Sequence, residues 1–269
     1  MKFETFVSQP DVMQFASWLS ERLGRRELSH GYYDRSRRRQ MSFAGLNDAL
    51  AQYVWNGRSY PETEQYLQKC ADRLGTALAG SDDHGLKCAA IEVLSWGRVL
   101  HGNEKWIRNA TDLRAALRSG CQILSGDDVC AKNIKRFNAG MSKIYSLLLP
   151  KFVIYDSRVA AALAWFVKGW CEQTARSSVP DVLAFRCMEG KESPRSKHPK
   201  LRNPSSGQYL FPRANTDWQR ALWNMRASWL IRHALEVNKQ SVFHQQRSPE
   251  RALEAALFMW GYDMELSTA

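Results

Sequence analysis

The sequence predicts an all-α fold, and three observations lead to that prediction. Apolar residues recur at spacings of three and four along almost the whole chain, which is the period of a helix with one buried face. Capping residues, prolines and glycines stand where these runs begin and end. No segment alternates between apolar and polar residues for long enough to predict a sheet. With 269 residues the chain can bury a full core, as one large domain or as two interlocked lobes.

Four helices are predicted in the first half of the chain. The first is followed by an Asn-Gly pair that ends it, and the second has Pro61 in its first turn, where a missing N–H costs nothing. Glycines or turn residues end the others. The predicted segments are 46–57, 61–75, 86–94 and 111–120.

The second half continues the same pattern. Two short helices at 130–137 and 142–149 are followed by five extended residues, and Asp156 then opens a helix with one apolar side. Aromatic and aliphatic residues repeat at helical spacing over 218–229. The last helix, 248–261, has a serine cap, a proline at its first position and a glycine stop.

The charge of the chain points to a polyanion as partner. The formal net charge is +11 and the sequence pI is near 9.5, and nucleic acid is the commonest polyanion that a soluble protein meets. Two segments concentrate that charge: 35–40, and the long Pro-, Gly- and Ser-rich segment 186–213. Each is either a solvated, mobile surface segment or a phosphate-contacting arm. The candidate contacts are Arg37, Arg38, Arg39, Lys197, Lys200 and Arg202.

Cysteine and histidine usage predicts a protein without metal. The six cysteines have no CxxC spacing and the histidines share no ligand spacing, so we expect buried thiols and neither a metal site nor disulfides. The first residues lack a signal-peptide pattern, and no apolar stretch is long enough to span a membrane. We therefore expect a cytoplasmic monomer that needs no cofactor and no membrane.

Residues 134–162, IKRFNAGMSKIYSLLLPKFVIYDSRVAAALA, are the most informative stretch. They predict a helix, a tight glycine turn, a second helix, an extended link and an acidic residue at the mouth of a third helix. A turn at Asn138 and Gly140 followed by Ser142 and Lys143 would point backbone N–H groups outward at a helix N-terminus. Such a site binds anions, and a DNA phosphate fits it.

Asp156 has two compatible roles. It is a good helix N-cap, which contributes about 1 kcal/mol. A carboxylate at a helix mouth can cap the helix and still present an oxygen to a cleft.

The segment resembles the core of the helix-hairpin-helix DNA glycosylase superfamily. In that family a hairpin of the kind LPGxGxxxA precedes an aspartate in a D-[ST]-[HR]-V context; here NAGMSKI and YDSRV stand in those places. The resemblance implies a two-lobed helical bundle, 1–269, with a helix-hairpin-helix core at about 128–168 and a double-stranded-DNA cleft between the lobes. It implies Asp156 as the catalytic residue. The leading LPG is replaced by Phe137-Asn138-Ala139 and the spacing to Asp156 is short, which indicates a divergent branch. The cysteine cluster of iron–sulfur members is absent, since Cys187 is the last cysteine.

The resemblance also bears on the nucleophile. Bifunctional members carry a lysine two residues after the second hairpin glycine. Counting from Gly140, that position is Ser142, and Lys143 lies one place later. We therefore expect water as the attacker and an intact abasic site as the product; a slip of one residue would restore a lysine nucleophile.

Further contacts are predicted around this core. Arg158 stands where the family has a residue near the DNA backbone, although it is equally a surface arginine. Tyr32, Tyr33 and Trp96 would stack on the extruded base or wedge into the gap it leaves, or simply pack in the core.

The predicted function is a DNA glycosylase that hydrolyses the N-glycosidic bond of a flipped, modified base, with phage DNA carrying modified cytosine as one target. Three alternatives stay open. One is base-excision repair of alkylated or oxidised bases, and another is a non-catalytic helix-hairpin-helix protein that grips DNA. The last is an unrelated helical protein whose charge serves RNA or an acidic protein.

Overall fold

The computed structural model describes residues 1–24, 28–188, 190 and 200–264, and these confirm a mostly helical fold. The helices are α1 Phe3–Val7, α2 Pro10–Arg22, α3 Leu46–Ala51, α4 Tyr60–Ala79, α5 Asp83–Trp96, α6 Asn103–Asn109, α7 Leu113–Leu124, α8 Ala139–Leu148, α9 Ser157–Gln173, α10 Asp217–Val237 and α11 Pro249–Trp260. Short 3₁₀ helices span Asp128–Asn133, Asp181–Leu183 and Val242–Gln245.

The prediction that the chain forms no sheet is wrong at one place. β1 (Ser29–Asp34) and β2 (Arg39–Ala44) pair as an antiparallel hairpin in which alternate side chains are buried. The alternation escapes a sequence reading because His30 and Asp34 lie on the buried face of β1. The Asp34 carboxylate accepts hydrogen bonds from the backbone of Ser36 and Arg37, so the basic run 35–40 forms the hairpin turn and the first two residues of β2.

Several helix ends were predicted correctly. Asp156 caps α9, and α11 begins at Pro249 and is followed by Gly261. By contrast, α4 continues through Gly75 to Ala79, because a glycine on an open helix face weakens a helix without ending it. α7 likewise continues past Gly120.

The helix predicted at 130–137 is not an α-helix. The chain forms the 3₁₀ helix Asp128–Asn133, then four residues without helical structure, and enters α8 directly from Asn138. The sequence NAG is thus the cap and first turn of α8, and the tight turn between two α-helices predicted there is wrong. The described structure does not establish a helix-hairpin-helix motif at this place.

The described residues pack around two hydrophobic clusters. The larger joins α1, α2, the hairpin, α3, α9 and α11 with one face of α10. The smaller joins α4 to α8 with the start of α10. Leu67, Trp96 and Ile154 form a small third cluster. The link from α8 to α9 contributes to all three clusters, and the candidate site lies at its end.

Candidate functional site

The two oxygens of the Asp156 carboxylate have different neighbours. Oδ1 accepts hydrogen bonds from the backbone N–H groups of Arg158 (2.9 Å) and Val159 (3.2 Å), as an N-cap does. Oδ2 takes no part in the cap and lies 3.9 Å from Nζ of Lys143. The cap therefore fixes the carboxylate while leaving one oxygen for chemistry.

Lys143 reaches this carboxylate from α8 along a buried path. Its side chain passes Gly97 so closely that a Cβ there would lie 2.6 Å from its Cε and closer still to its Cδ. Nζ is 3.4 Å from the carbonyl oxygen of Ala139. Burial lowers the pKa of Lys143, and the nearby Asp156 charge opposes that shift. The Lys143 amine therefore lies near the carbonyl oxygen of Ala139, and its lowered pKa makes the neutral form easier to populate.

The link before Asp156 is clamped by buried side chains. The N–H of Val153 donates to Ser228 Oγ (3.1 Å), and its carbonyl accepts from Asn224 Nδ2 (2.7 Å). The N–H of Tyr155 donates to Ser142 Oγ (2.9 Å), which donates in turn to Asn224 Oδ1 (2.6 Å). Since the whole network is buried, each hydrogen bond is costly to leave unmade. Together these bonds hold the backbone of the link in place.

Glu254 and Arg251 of α11 complete this clamp. Oε2 of Glu254 accepts from the N–H of Ile154 (2.7 Å) and from Arg251 Nη1 (2.6 Å). Arg251 also donates to the carbonyl of Ser146 (2.8 Å), one turn after Lys143 on α8. The two residues of α11 therefore brace the elements that carry Lys143 and Asp156 against each other.

A small cavity adjoins the pair. Its volume is about 40 Å³, which is the scale of one or two waters rather than of a nucleobase. The carbonyl oxygen of Trp96 accepts hydrogen bonds from Trp55 Nε1 (2.9 Å) and Asn56 Nδ2 (2.8 Å), and Arg98 holds Asn56 (2.8 Å). These bonds join residues 55–56 to residues 96–98 at the end of α5, and we call the two segments the clasp. The cavity is lined by Tyr53, Trp55, Trp96, Gly97, Lys143, Ile154, Asp156, Glu254, Ala255 and Phe258.

Three cations surround the start of α9. The Arg158 guanidinium lies over the rings of Phe258 (4.1 Å) and Tyr262 (4.7 Å), and within the described chain no hydrogen bond or ion pair holds it. Burial, and next the charge of Arg202, lower the pKa of Arg158 to about 10. Lys200 Nζ lies 4.3 Å from the Tyr262 ring centroid, and Arg202 donates to the carbonyl of Tyr262 (3.2 Å). We name Arg158, Lys200 and Arg202 the cationic rim.

The anion site predicted at the start of α8 is wrong. Asn138 Oδ1 already accepts from the N–H groups of Gly140 (2.9 Å) and Met141 (3.1 Å), so these donors do not face outward. Gly140 is buried against Asn103, and Ser142 is fully buried in the clamp. Lys143, and not the neighbouring Ser142 that the count from the hairpin put in the nucleophile position, lines the cavity.

The three residues predicted to contact the base lie in different places. Trp96 is largely buried and lines the cavity. Tyr32 is core, with its ring stacked on Tyr262 at 4.6 Å, so the predicted contact with an extruded base is not accessible to it. Tyr33 is 51% exposed and does not line the cavity.

The predicted basic contacts of the hairpin also differ among themselves. Arg37 donates to the carbonyl of Val54 (2.6 Å) and lies 3.6 Å from Asp34, so the fold already uses it. Arg38 and Arg39 are exposed. Lys197 lies outside the described residues.

Sequence reasoning missed Glu254, Asn224 and Trp55. Glu254 stands inside the apolar run of α11, and Asn224 lies between the aromatic and apolar residues of α10. A polar residue on the buried face of a helix needs a partner there, so both positions carried a signal. Nothing in the local sequence around Trp55 indicates a cavity wall.

Comparison of the chain with protein families, with curated proteins and with solved structures finds no match. None of the described helices is long and apolar enough to cross a membrane. Among the described side chains no group of three or more His, Cys, Asp and Glu is placed to hold a metal ion.

Proposed function

We propose that the protein is a DNA glycosylase that extrudes a modified base from double-stranded DNA and breaks its N-glycosidic bond with Asp156 and Lys143. The observation that carries the proposal is the pairing of Asp156 Oδ2 with Lys143 Nζ at 3.9 Å, beside a cavity with aromatic walls. Both groups are fixed by elements that the buried clamp holds together. Fixed charges are effective where a transition state develops charge, because they need no reorganisation.

The chemistry follows from the two groups. The Asp156 carboxylate stabilises positive charge on the sugar as the bond to the base breaks and its electron pair leaves with the base. The nucleophile is either water, as the sequence predicted, or the neutral Lys143 amine, which would form a bond to C1′ and give up a proton to an acceptor such as Asp156. The buried amine at the cavity favours the second route.

The proposed partner is supported by charge. Two members of the cationic rim lie at the start of α9, because Arg158 belongs to its first turn and Arg202 donates to Ser157, and they could hold the phosphate next to an extruded nucleotide. The net charge of +11 adds a long-range attraction to DNA.

A base needs more room than the cavity offers, so the proposal requires the clasp to open. The clasp opens when residues 55–56 separate from residues 96–98. This separation breaks three hydrogen bonds and moves the Trp55 and Trp96 rings. Coupling such an opening to DNA binding is an ordinary gating step.

Duplex oligonucleotides test the proposal. Each would carry one modified base (alkylated, oxidised, deaminated or hydroxymethylated), with DNA of a phage that uses modified cytosine as a further substrate. Release of a base by the wild-type protein, lost in Asp156→Asn, supports it. Borohydride trapping of a protein–DNA adduct that requires Lys143 selects the amine route; an intact abasic site without trapping selects water. Activity should persist in EDTA.

The water-sized cavity favours a second candidate, a DNA-binding protein without turnover. Salt-dependent binding to duplex DNA, with no base released from any of these substrates, would select it.

A further inference from the structure

Glu254 is a buried carboxylate whose burial the clamp explains only in part. It is 6% exposed and belongs to α11, which otherwise presents apolar side chains to the larger cluster. A buried carboxylate is expensive unless it is paired. Bracing Ile154 needs only a hydrogen-bond acceptor, so a neutral amide would serve there.

The two oxygens of Glu254 have different surroundings. Oε2 is fully used, by Arg251 and by the N–H of Ile154. Oε1 has no hydrogen-bond partner within the described chain, and Glu254 is one of the residues that line the cavity. One oxygen is thus fixed, and the other is unpaired in a residue that lines the same cavity as Lys143 and Asp156.

We propose that Glu254 is a specificity-determining residue whose free oxygen accepts a hydrogen bond from the exocyclic amino group of the extruded base. The substrate class is therefore amino-bearing bases, such as cytosine and adenine derivatives, and not their keto counterparts. The inference rests on the proposed function, because it names the substrate of that same site.

The selectivity follows from the chemistry of a fixed carboxylate. An ionised carboxylate only accepts hydrogen bonds, so it pairs with an amino group and repels a keto oxygen in the same place. A site built around a buried partner rejects the analogue that lacks the matching donor, because the buried group is then left unpaired. The bond from Arg251 at 2.6 Å stabilises the ionised form, while burial raises the pKa of Glu254.

Other charged and titratable groups face Glu254 from each neighbouring element. Lys143 of α8 favours its ionised form and Asp156 disfavours it, and two tyrosines lie close enough to feel its charge. They are Tyr53, which follows α3, and Tyr60 of α4. None of them hydrogen-bonds Oε1.

A matched pair of duplexes tests the inference. One carries 5-hydroxymethylcytosine and the other 5-hydroxymethyluracil in the same sequence, each opposite an abasic analogue so that neither base is paired. The two then differ only in the amino or keto group and the ring proton that follows it. Adenine and hypoxanthine derivatives provide a second pair. The rate of base release is measured for the wild-type protein, for Glu254→Gln, and for Glu250→Gln as a control on the same helix.

The wild-type protein should prefer the amino-bearing member of a pair by on the order of 100-fold. Glu254→Gln should bring that ratio close to one, because an amide can donate to a keto oxygen as well as accept; Glu250→Gln should leave it unchanged. Glu254→Asp, which withdraws the oxygen but keeps the charge, is the second variant if the amide does not fold. It should narrow the ratio too.

Two failures are distinguishable. Base release without an amino preference, or a ratio unchanged in both folded variants of Glu254, overturns this inference alone. If the wild-type protein releases no base from any duplex, the proposed function fails and this inference fails with it.

Discussion

The starts of α8 and α9 look alike and do different things. Each helix is capped by a side-chain oxygen that accepts N–H groups two and three residues ahead, from Asn138 in α8 and from Asp156 in α9. In α8 the remaining cap atom, Nδ2 of Asn138, donates to Asn103 Oδ1 at 2.8 Å and is used up within the fold. In α9 the remaining atom is a charged oxygen that faces Lys143.

The comparison teaches that a helix N-terminus is not a site by itself. Each cap side chain satisfies two of the first-turn N–H donors, so those donors are not available to a phosphate. The start of α9 differs from that of α8 in three features: the second oxygen of the Asp156 cap, the Lys143 amine opposite that oxygen, and the cationic rim. The predictions below test these differences, from the largest expected effect to the smallest.

Asp156→Asn should abolish most activity while leaving the fold in place. The amide keeps a capping oxygen, so the free energy of unfolding should change by no more than about 1 kcal/mol. The charge beside the reacting sugar is lost, and single-turnover base release should fall by on the order of 1,000-fold. Asn138→Asp, the reciprocal change in α8, is the control and should retain activity. Near wild-type release by Asp156→Asn would reduce Asp156 to a cap.

Lys143→Met should remove the borohydride-trapped adduct and reduce base release by roughly 100-fold. In the wild type, trapping should rise with pH and level off below the ordinary lysine pKa of 10.5, because burial lowers the pKa of Lys143. Lys151→Met, at a half-exposed position after α8, is the control. Trapping that persists in Lys143→Met would assign the adduct to another amine.

The same lowered pKa predicts a stability slope. Between the pKa of folded Lys143 and 10.5 the unfolded chain holds more of that proton than the folded one, so the free energy of unfolding should rise with pH across this window. Denaturant titrations at several pH values measure the slope, and the contribution of Lys143 is the part of that slope that is lost in Lys143→Met. An identical slope in that variant would contradict the assignment.

Gly97→Ala should act chiefly through Lys143, since the new Cβ would overlap its stem and press less closely on Val99. The added methyl would overlap the lysine stem, and shifting that side chain should cost about 1–3 kcal/mol of stability and roughly 100-fold in activity. Gly75→Ala in α4, where a Cβ meets nothing within 4 Å, should instead stabilise the protein by about 0.5–1 kcal/mol with full activity. Equal effects of the two changes would remove the special role of Gly97.

Charge reversal at Arg38 and Arg39 should have the smallest effect. If the exposed hairpin turn contacts DNA, the slope of log affinity against log salt should fall by about 2, one unit for each lost phosphate contact. Arg37 is left unchanged because it holds the carbonyl of Val54. A slope equal to that of the wild type would confine the DNA contacts to the region of α9.

The sequence by itself determined the helical class, the ends of α11 and the cap of α9. These features are local: a 3.6-residue apolar period, a proline at a first turn, or an aspartate before a helix has the same meaning wherever the chain places it. The Asp156 cap and the Lys143 charge were predicted from such patterns, whereas their separation was not.

Only the tertiary structure decided which side chains meet. Thirteen positions separate Lys143 from Asp156, and Glu254 lies far beyond both, so no local spacing could predict that they line one cavity. It also decided that Ser142 faces the buried clamp and Lys143 faces Asp156, although the two are adjacent. The physical reason is that neighbouring residues on a helix point about 100° apart. Which of the two becomes a buried brace and which faces the cavity depends on what packs against each face of the helix.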